Sequence, residues 1–112
     1  MRLPGGERAE LGTKIEDYIL NSAHPDGRHK ARVFAAVLGI TQANAGMLRR
    51  ALRAAAATSD AAEAGARDKF GRRYHLRVRI TTLKGSATVR SGWIVAHGED
   101  FPRLTTCYII RK

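Results

Sequence analysis

Arg73-Tyr74-His75-Leu76-Arg77-Val78-Arg79-Ile80 is the stretch that decides the fold. Tyr74, Leu76, Val78 and Ile80 alternate with Arg73, His75, Arg77 and Arg79. A period of two marks a strand with one face on a core and the other in water. The wet face of this strand holds arginine and histidine and no acid.

Toward the C-terminus the same kind of reading continues. Lys84-Gly85-Ser86 predicts a turn, and residues 87–96 a second strand with Val89, Trp93 and Val95 on one face. Gly98-Glu99-Asp100-Phe101-Pro102 predicts another turn, and residues 104–110 a third strand. Short turns between consecutive strands make an antiparallel meander. Toward the N-terminus, Thr58 to Asp68 is small, polar and alanine-rich, and reads as a loop or a frayed helix end.

Before residue 58 the period becomes helical. Thr13-Lys14-Ile15-Glu16 fits a capping box, which predicts a helix starting there with Ile15, Tyr18 and Ile19 on its apolar face. Ala23-His24-Pro25-Asp26-Gly27 breaks it, because proline restricts the residue before it and Asp-Gly is a turn pair. A second helix is expected from about Arg28 to Leu38, with Ala31, Phe34, Val37 and Leu38 facing inward and Gly39 as its stop. Thr41 is expected to cap a third helix reaching about Ala57, with Ala45, Leu48, Leu52 and Ala55 on its apolar side. The expected fold class is α+β, with three N-terminal helices packed on a small antiparallel sheet of three to four strands. The sheet's other face would be open and basic. Residues 1–112 would form one domain, with a helical half at 13–57 and a sheet half at 72–111.

The chain has 112 residues, 20 of them Lys or Arg against 10 Asp or Glu, for a formal net charge of +10. That length suits one domain. The basic excess concentrates polyanions at the surface, and nucleic acid or an acidic protein are the polyanions to consider. The single cysteine, Cys107, rules out an internal disulfide and reads as a small core residue. No run is apolar enough for a membrane span or a signal peptide, so a reducing cytoplasm is the expected compartment. No metal or other cofactor is expected, since paired cysteines, His-Glu-x-x-His, a phosphate loop and a nucleophile elbow are all missing.

Two features suit chemistry on a phosphodiester. Arg73, His75, Arg77 and Arg79 stand at two-residue spacing on the basic strand face, and Arg90 is a possible neighbour. Guanidinium groups pair with phosphate oxygens in bidentate fashion. His24-Pro25-Asp26-Gly27-Arg28-His29-Lys30 brings two histidines and two further cations to a helix start. Metal-independent RNA cleavage needs a base for the ribose 2′-hydroxyl, an acid for the leaving 5′-oxygen, and cations for the charge on phosphorus. His24, His29, Lys30 and the arginines have that chemistry. Each also has a plain structural reading, as a loop, a cap or a solvated strand face. Trp93 reads first as core and second as a nucleic-acid contact, and Thr106 as a phosphate donor or as packing.

The segment from Asp17 to Phe34 also carries a resemblance. Tyr18, Leu20, Asn21, His24, Pro25, Gly27, Lys30, Ala31 and Phe34, followed by Leu38-Gly39, match the pattern Y-x-L-N-x-x-H-P-x-G-x-x-K-A-x-x-F then L-G. Phe70-Gly71-x-x-Tyr74, Thr88-Val89-x-Ser91-x-Trp93-Ile94 and Pro102-x-Leu104-x-Thr106 also look familiar. The chain resembles a family of small bacterial domains of unknown function. That family is similar to the C-terminal toxin domains of contact-dependent growth-inhibition proteins and to toxin halves of toxin–antitoxin pairs. The resemblance implies a fold of the barnase, colicin and RelE-like group and a ribonuclease acting on RNA, some relatives cutting tRNA. It implies an acidic antitoxin or immunity protein that covers the basic face. Within it, His24, Lys30 and Thr106 are the expected catalytic residues. Arg28, His29, Arg73, His75, Arg77, Arg79, Arg90 and Trp93 are the expected substrate contacts. The alternatives are a nucleic-acid-binding module without catalysis, and a protein-interaction factor for an acidic partner.

Overall fold

The computed structural model describes residues 1–110; residue 111, the last of the expected sheet half, lies outside the described residues. The α+β expectation holds. The chain runs through a π-helical turn at Ile15–Ile19, helix α1 at Arg28–Leu38 and helix α2 at Gly46–Thr58. Strands β1 at Glu63–Asp68, β2 at Gly71–Thr81, β3 at Ser86–Ala96 and β4 at Arg103–Ile110 follow. The strands pair in chain order as an antiparallel meander, β1-β2-β3-β4.

Register sorts the side chains into two faces. Tyr74, Leu76, Val78 and Ile80 stand opposite Trp93, Ser91, Val89 and Ala87. Ser91 and Val89 in turn stand opposite Cys107 and Ile109. This inner face and the apolar sides of the helices make one core, in which Phe34, Leu38, Leu48, Leu52, Leu76, Val89 and Trp93 are all buried. Helix α1 packs on β3 and β4, and α2 on β2. Burial pushes the Cys107 thiol up to about 12, so this thiol is packing and not a nucleophile.

Three expectations about elements are corrected. Residues 58–68 are not merely a loop, because Glu63–Asp68 pairs with β2 as a fourth, largely exposed edge strand. Its sequence, Glu-Ala-Gly-Ala-Arg-Asp, has low strand propensity, and pairing to an already formed neighbour overrides that. The segment after Thr13 does not form a capped α-helix. It closes as a five-residue π turn, with Leu20 N–H donating to Ile15 O at 2.8 Å and no side-chain cap. Thr41 caps a short 3-10 turn at Gln42–Asn44, and α2 begins only at Gly46. The stop at Gly39 is as expected. Gly39 takes φ 68° and its N–H donates to Ala35 O, while Ile40 N–H donates to Phe34 O.

The turn between the π segment and α1 is built by the residues of the Tyr18-to-Phe34 pattern. Asn21 Oδ1 accepts from Ala23 N–H, and His24 Nδ1 accepts from the N–H groups of Asp26 and Gly27 at 3.0 and 3.1 Å. His24 thus satisfies backbone donors at the helix start, the work a serine or aspartate cap does elsewhere. Gly27 lies against the carbonyl of Tyr18, and a Cβ there would stand 1.9 Å from that oxygen. Gly27→Ala is therefore expected to cost about 3 kcal/mol, the upper part of the range for overpacking against backbone that cannot step aside. Urea unfolding followed by far-UV circular dichroism measures it.

Candidate functional site

The outer face of the sheet has no helix on it. Three rows cross it in register. The first is Glu63, His75, Gly92, Thr106; the second Arg77, Arg90, Tyr108; the third Arg79, Thr88, Ile110.

The first row contains a hollow. Gly92 has no side chain, so a gap opens between His75 on one strand and Thr106 two strands away. Two strand spacings make that gap about 10 Å wide between backbones. A bulge deepens the asymmetry. Gly92 pairs with Thr106 but Trp93 pairs with Leu104, so Thr105 is an extra residue. A bulge re-aims side chains. Here Thr105 Oγ1 and Thr106 Cγ2 both lie beside Gly92, at 2.9 and 3.5 Å from where a Cβ would be. The hollow is about 280 Å³ and is lined by Arg73, His75, Arg90, Thr105, Thr106 and Tyr108 among others. Thr106 Oγ1 is buried with no hydrogen-bond partner among the described residues.

The charge on this face divides into two parts. At the β1 end the basic side chains have carboxylates beside them. Arg73 Nε donates to Asp68 Oδ2 at 2.8 Å, and His75 Nε2 lies 3.5 Å from Glu63 Oε1. The Arg73 guanidinium, with the Phe70 N–H, holds the Asp68 carboxyl below the usual carboxylate range. The expectation of an acid-free face is thereby corrected, since strand β1 supplies Asp68 and Glu63. In the middle of the sheet the cations are unpaired. Arg77 and Arg90 stand directly opposite each other. Neither has a carboxylate partner among the described residues, and Arg79 reaches only Thr88 Oγ1, at 3.4 Å. Like charges directly across a strand pair destabilise the sheet. Beyond Arg77 and Arg79 a second hollow, of about 580 Å³, continues past Thr88 and Ile110.

The expected site residues do not all converge. Thr106, Arg73, His75, Arg77, Arg79 and Arg90 share the open face. His24 and Lys30 belong to the helical layer, on the other side of the sheet. His24 Nδ1 is engaged by the helix start, and its ring packs edge-on to Tyr18 with centroids 5.0 Å apart. Lys30 Nζ donates to the Tyr18 hydroxyl at 2.9 Å. Arg28 and His29 are exposed on the first turn of α1, in that same layer. Trp93 corrects the sequence reading most clearly. Its side chain is on the inner face, 1% exposed, with Nε1 donating to the buried Ser91 hydroxyl. An indole in that position cannot stack on a bound base.

Three residues in the row of the hollow or lining it were not read from the sequence. Glu63 was hidden by the loop reading of its strand. Thr105 owes its place to a bulge that no sequence pattern announces. Gly92 did carry a signal, because a glycine inside a strand marks a bulge or a close approach.

With this geometry in hand, comparison with known proteins places the chain. The model of one family, Domain of unknown function (DUF6883), matches residues 2–111. The chain belongs to that family. No curated protein and no solved structure matches it. As a DUF6883 domain it matches over almost its whole length, so helical layer, sheet and open face all fall within the family's domain. Among the described residues, no helix is long and apolar enough to cross a membrane.

Proposed function

We propose that this DUF6883 domain is a ribonuclease of the bacterial toxin kind, which holds single-stranded RNA across the open face of its sheet. The observation that carries the reading is the pairing of Arg77 with Arg90. The two arginines stand opposite each other across adjacent strands, and neither has a carboxylate partner among the described residues. Folding alone gains nothing from that arrangement, whereas a phosphate between them satisfies both. Tyr108, 38% exposed in the same row, offers a ring for a base to stack on. The hollow at Gly92 adds a histidine and hydroxyls beside the arginines, which are the groups that phosphodiester cleavage uses.

An acidic antitoxin or immunity protein suits the same face, because its carboxylates would meet the same free arginines. Such a partner would block RNA from binding.

The test uses the purified chain with a labelled single-stranded RNA and the DNA of the same sequence, in EDTA. Binding is expected to weaken steeply with salt, and RNA is expected to be cut while DNA is not. RNA that is bound with a steep salt slope and stays intact would leave a binding module without catalysis. RNA that is not bound at low salt would remove the proposal altogether.

A further inference from the structure

We infer that RNA is cleaved in the hollow over Gly92, with His75 as the base, Tyr108 as the acid, and Glu63 as the residue that positions His75. This rests on the ribonuclease reading, and it assigns the chemistry to a site other than the His24–Lys30 segment.

His24 Nδ1 accepts two backbone N–H groups at the start of α1, and the Lys30 ammonium donates to Tyr18. Both are used in holding α1, and the free arginines are on the opposite face of the sheet. A scissile phosphate held by Arg77 and Arg90 therefore lies far from them. It lies next to the row Glu63–His75–Gly92–Thr106.

That row is arranged for a phosphate. His75 Nε2 faces the Glu63 carboxylate at 3.5 Å, which leaves Nδ1 for a substrate. A carboxylate on one ring nitrogen orients the ring and stabilises the imidazolium formed when the other nitrogen takes a proton. Gly92 leaves room for the phosphate between the two walls. Arg90, Thr105 and Thr106 line the opposite side, with the Thr105 hydroxyl beside Gly92. Tyr108 lines the same hollow and is exposed.

The chemistry balances without an added reactant. The ribose 2′-oxygen attacks the adjacent phosphorus, and the bond from phosphorus to the 5′-oxygen breaks. The 2′-hydroxyl proton goes to His75 Nδ1. The Tyr108 hydroxyl gives a proton to the departing 5′-oxygen. Arg90 and the Thr105 hydroxyl hold the non-bridging oxygens while charge builds on them. The products are a 2′,3′-cyclic phosphate and a 5′-hydroxyl, and proton exchange with water resets both side chains.

The experiment uses the full chain, a fluorescent single-stranded RNA, and a DNA of the same sequence carrying one ribonucleotide. Single-turnover cleavage, product ends and binding are measured in EDTA. The wild type is expected to cut the mixed strand only after the ribonucleotide, leaving a cyclic phosphate. His75→Ala and Tyr108→Phe are each expected to lower the cleavage rate about 100-fold with binding nearly unchanged. Glu63→Gln is expected to lower the single-turnover rate about fivefold with binding unchanged, as fits loss of an exposed carboxylate beside the base. Gly92→Val, at a glycine without positive φ, fills the hollow and pushes the Thr105 side chain aside, and is expected to abolish cleavage while far-UV circular dichroism stays native. A wild type that cuts RNA while His75→Ala cuts at a comparable rate would overturn the assignment and leave the ribonuclease reading standing. So would cleavage lost in Lys30→Ala with a native spectrum and kept in Gly92→Val. A wild type that cuts nothing overturns both.

Discussion

Trp93→Ala is expected to remove about 3–5 kcal/mol of stability, the range for truncating a fully buried aromatic. Domains of this size are stable by about 5–15 kcal/mol, so the variant would be close to unfolding at 37 °C. The reason lies in the inner face. Trp93 is opposite Tyr74 and among the largest buried side chains, and its Nε1 donates to Ser91 Oγ at 2.9 Å. Ser91 in turn donates to Leu76 O at 2.8 Å. Truncation leaves a cavity and takes away the only donor that the Ser91 hydroxyl has among the described residues. Trp93→Phe keeps most of the packing but not that donor, and is expected to cost about 1–2 kcal/mol. Chemical unfolding followed by far-UV circular dichroism separates the two, since the chain has one tryptophan and its fluorescence would be lost. At temperatures where it is folded, Trp93→Phe is expected to bind RNA as the wild type does. Weakened binding in that variant would mean that the indole reaches the ligand after all.

Replacing Arg77, Arg79 and Arg90 together by glutamine is expected to weaken single-stranded RNA binding about 100-fold. Each arginine–phosphate contact exposed to solvent contributes about 1 kcal/mol, at the low end for charge-assisted bonds. Three such contacts amount to two powers of ten. The slope of log K against log salt is expected to flatten by about 2, at about 0.7 per phosphate contact for a single strand. The same variant is expected to be slightly more stable than the wild type, by up to about 1 kcal/mol. It removes the like-charge pair that Arg77 and Arg90 make across β2 and β3. Lower affinity together with higher stability is what a binding surface produces, and a merely solubilising surface would show neither the affinity loss nor the change in slope. Fluorescence anisotropy titrations at several salt concentrations decide it.

The fold was legible to a large extent because burial sets two clear periods. The alternation from Arg73 to Ile80 placed β2, and its in–out sense was right at Leu76 and Ile80, both buried. Ala31, Phe34 and Leu38, and Leu48, Leu52 and Ala55, are the buried positions of the helices, as the helical period requires. What failed was local. Glu63–Asp68 has no strand period because almost all of it is exposed, so burial wrote no pattern into it. The π turn at Ile15–Ile19 shows the same apolar spacing as an α-helix over its few residues, and spacing cannot distinguish the two.

The candidate site was legible residue by residue but not as an assembly. Arginine, histidine and threonine were recognised for their chemistry, and most of them do share a face. His24 and Lys30 have suitable chemistry too, yet His24 Nδ1 is used by Asp26 and Gly27 and the Lys30 ammonium by Tyr18. Chemistry belongs to a residue type, while availability belongs to its neighbours.

The sequence by itself determined that this chain would be an α+β domain with a basic strand face, because alternation and net charge are properties of residue order and composition. Only the tertiary structure decided which cations are free. Strand β1 returns beside β2 and ties up Arg73 and His75 with Asp68 and Glu63. Strand β3 sets Arg90 against Arg77, and β4 brings Thr106 and Tyr108 around Gly92. These partners lie far apart along the chain, and the register of the sheet is what makes them neighbours.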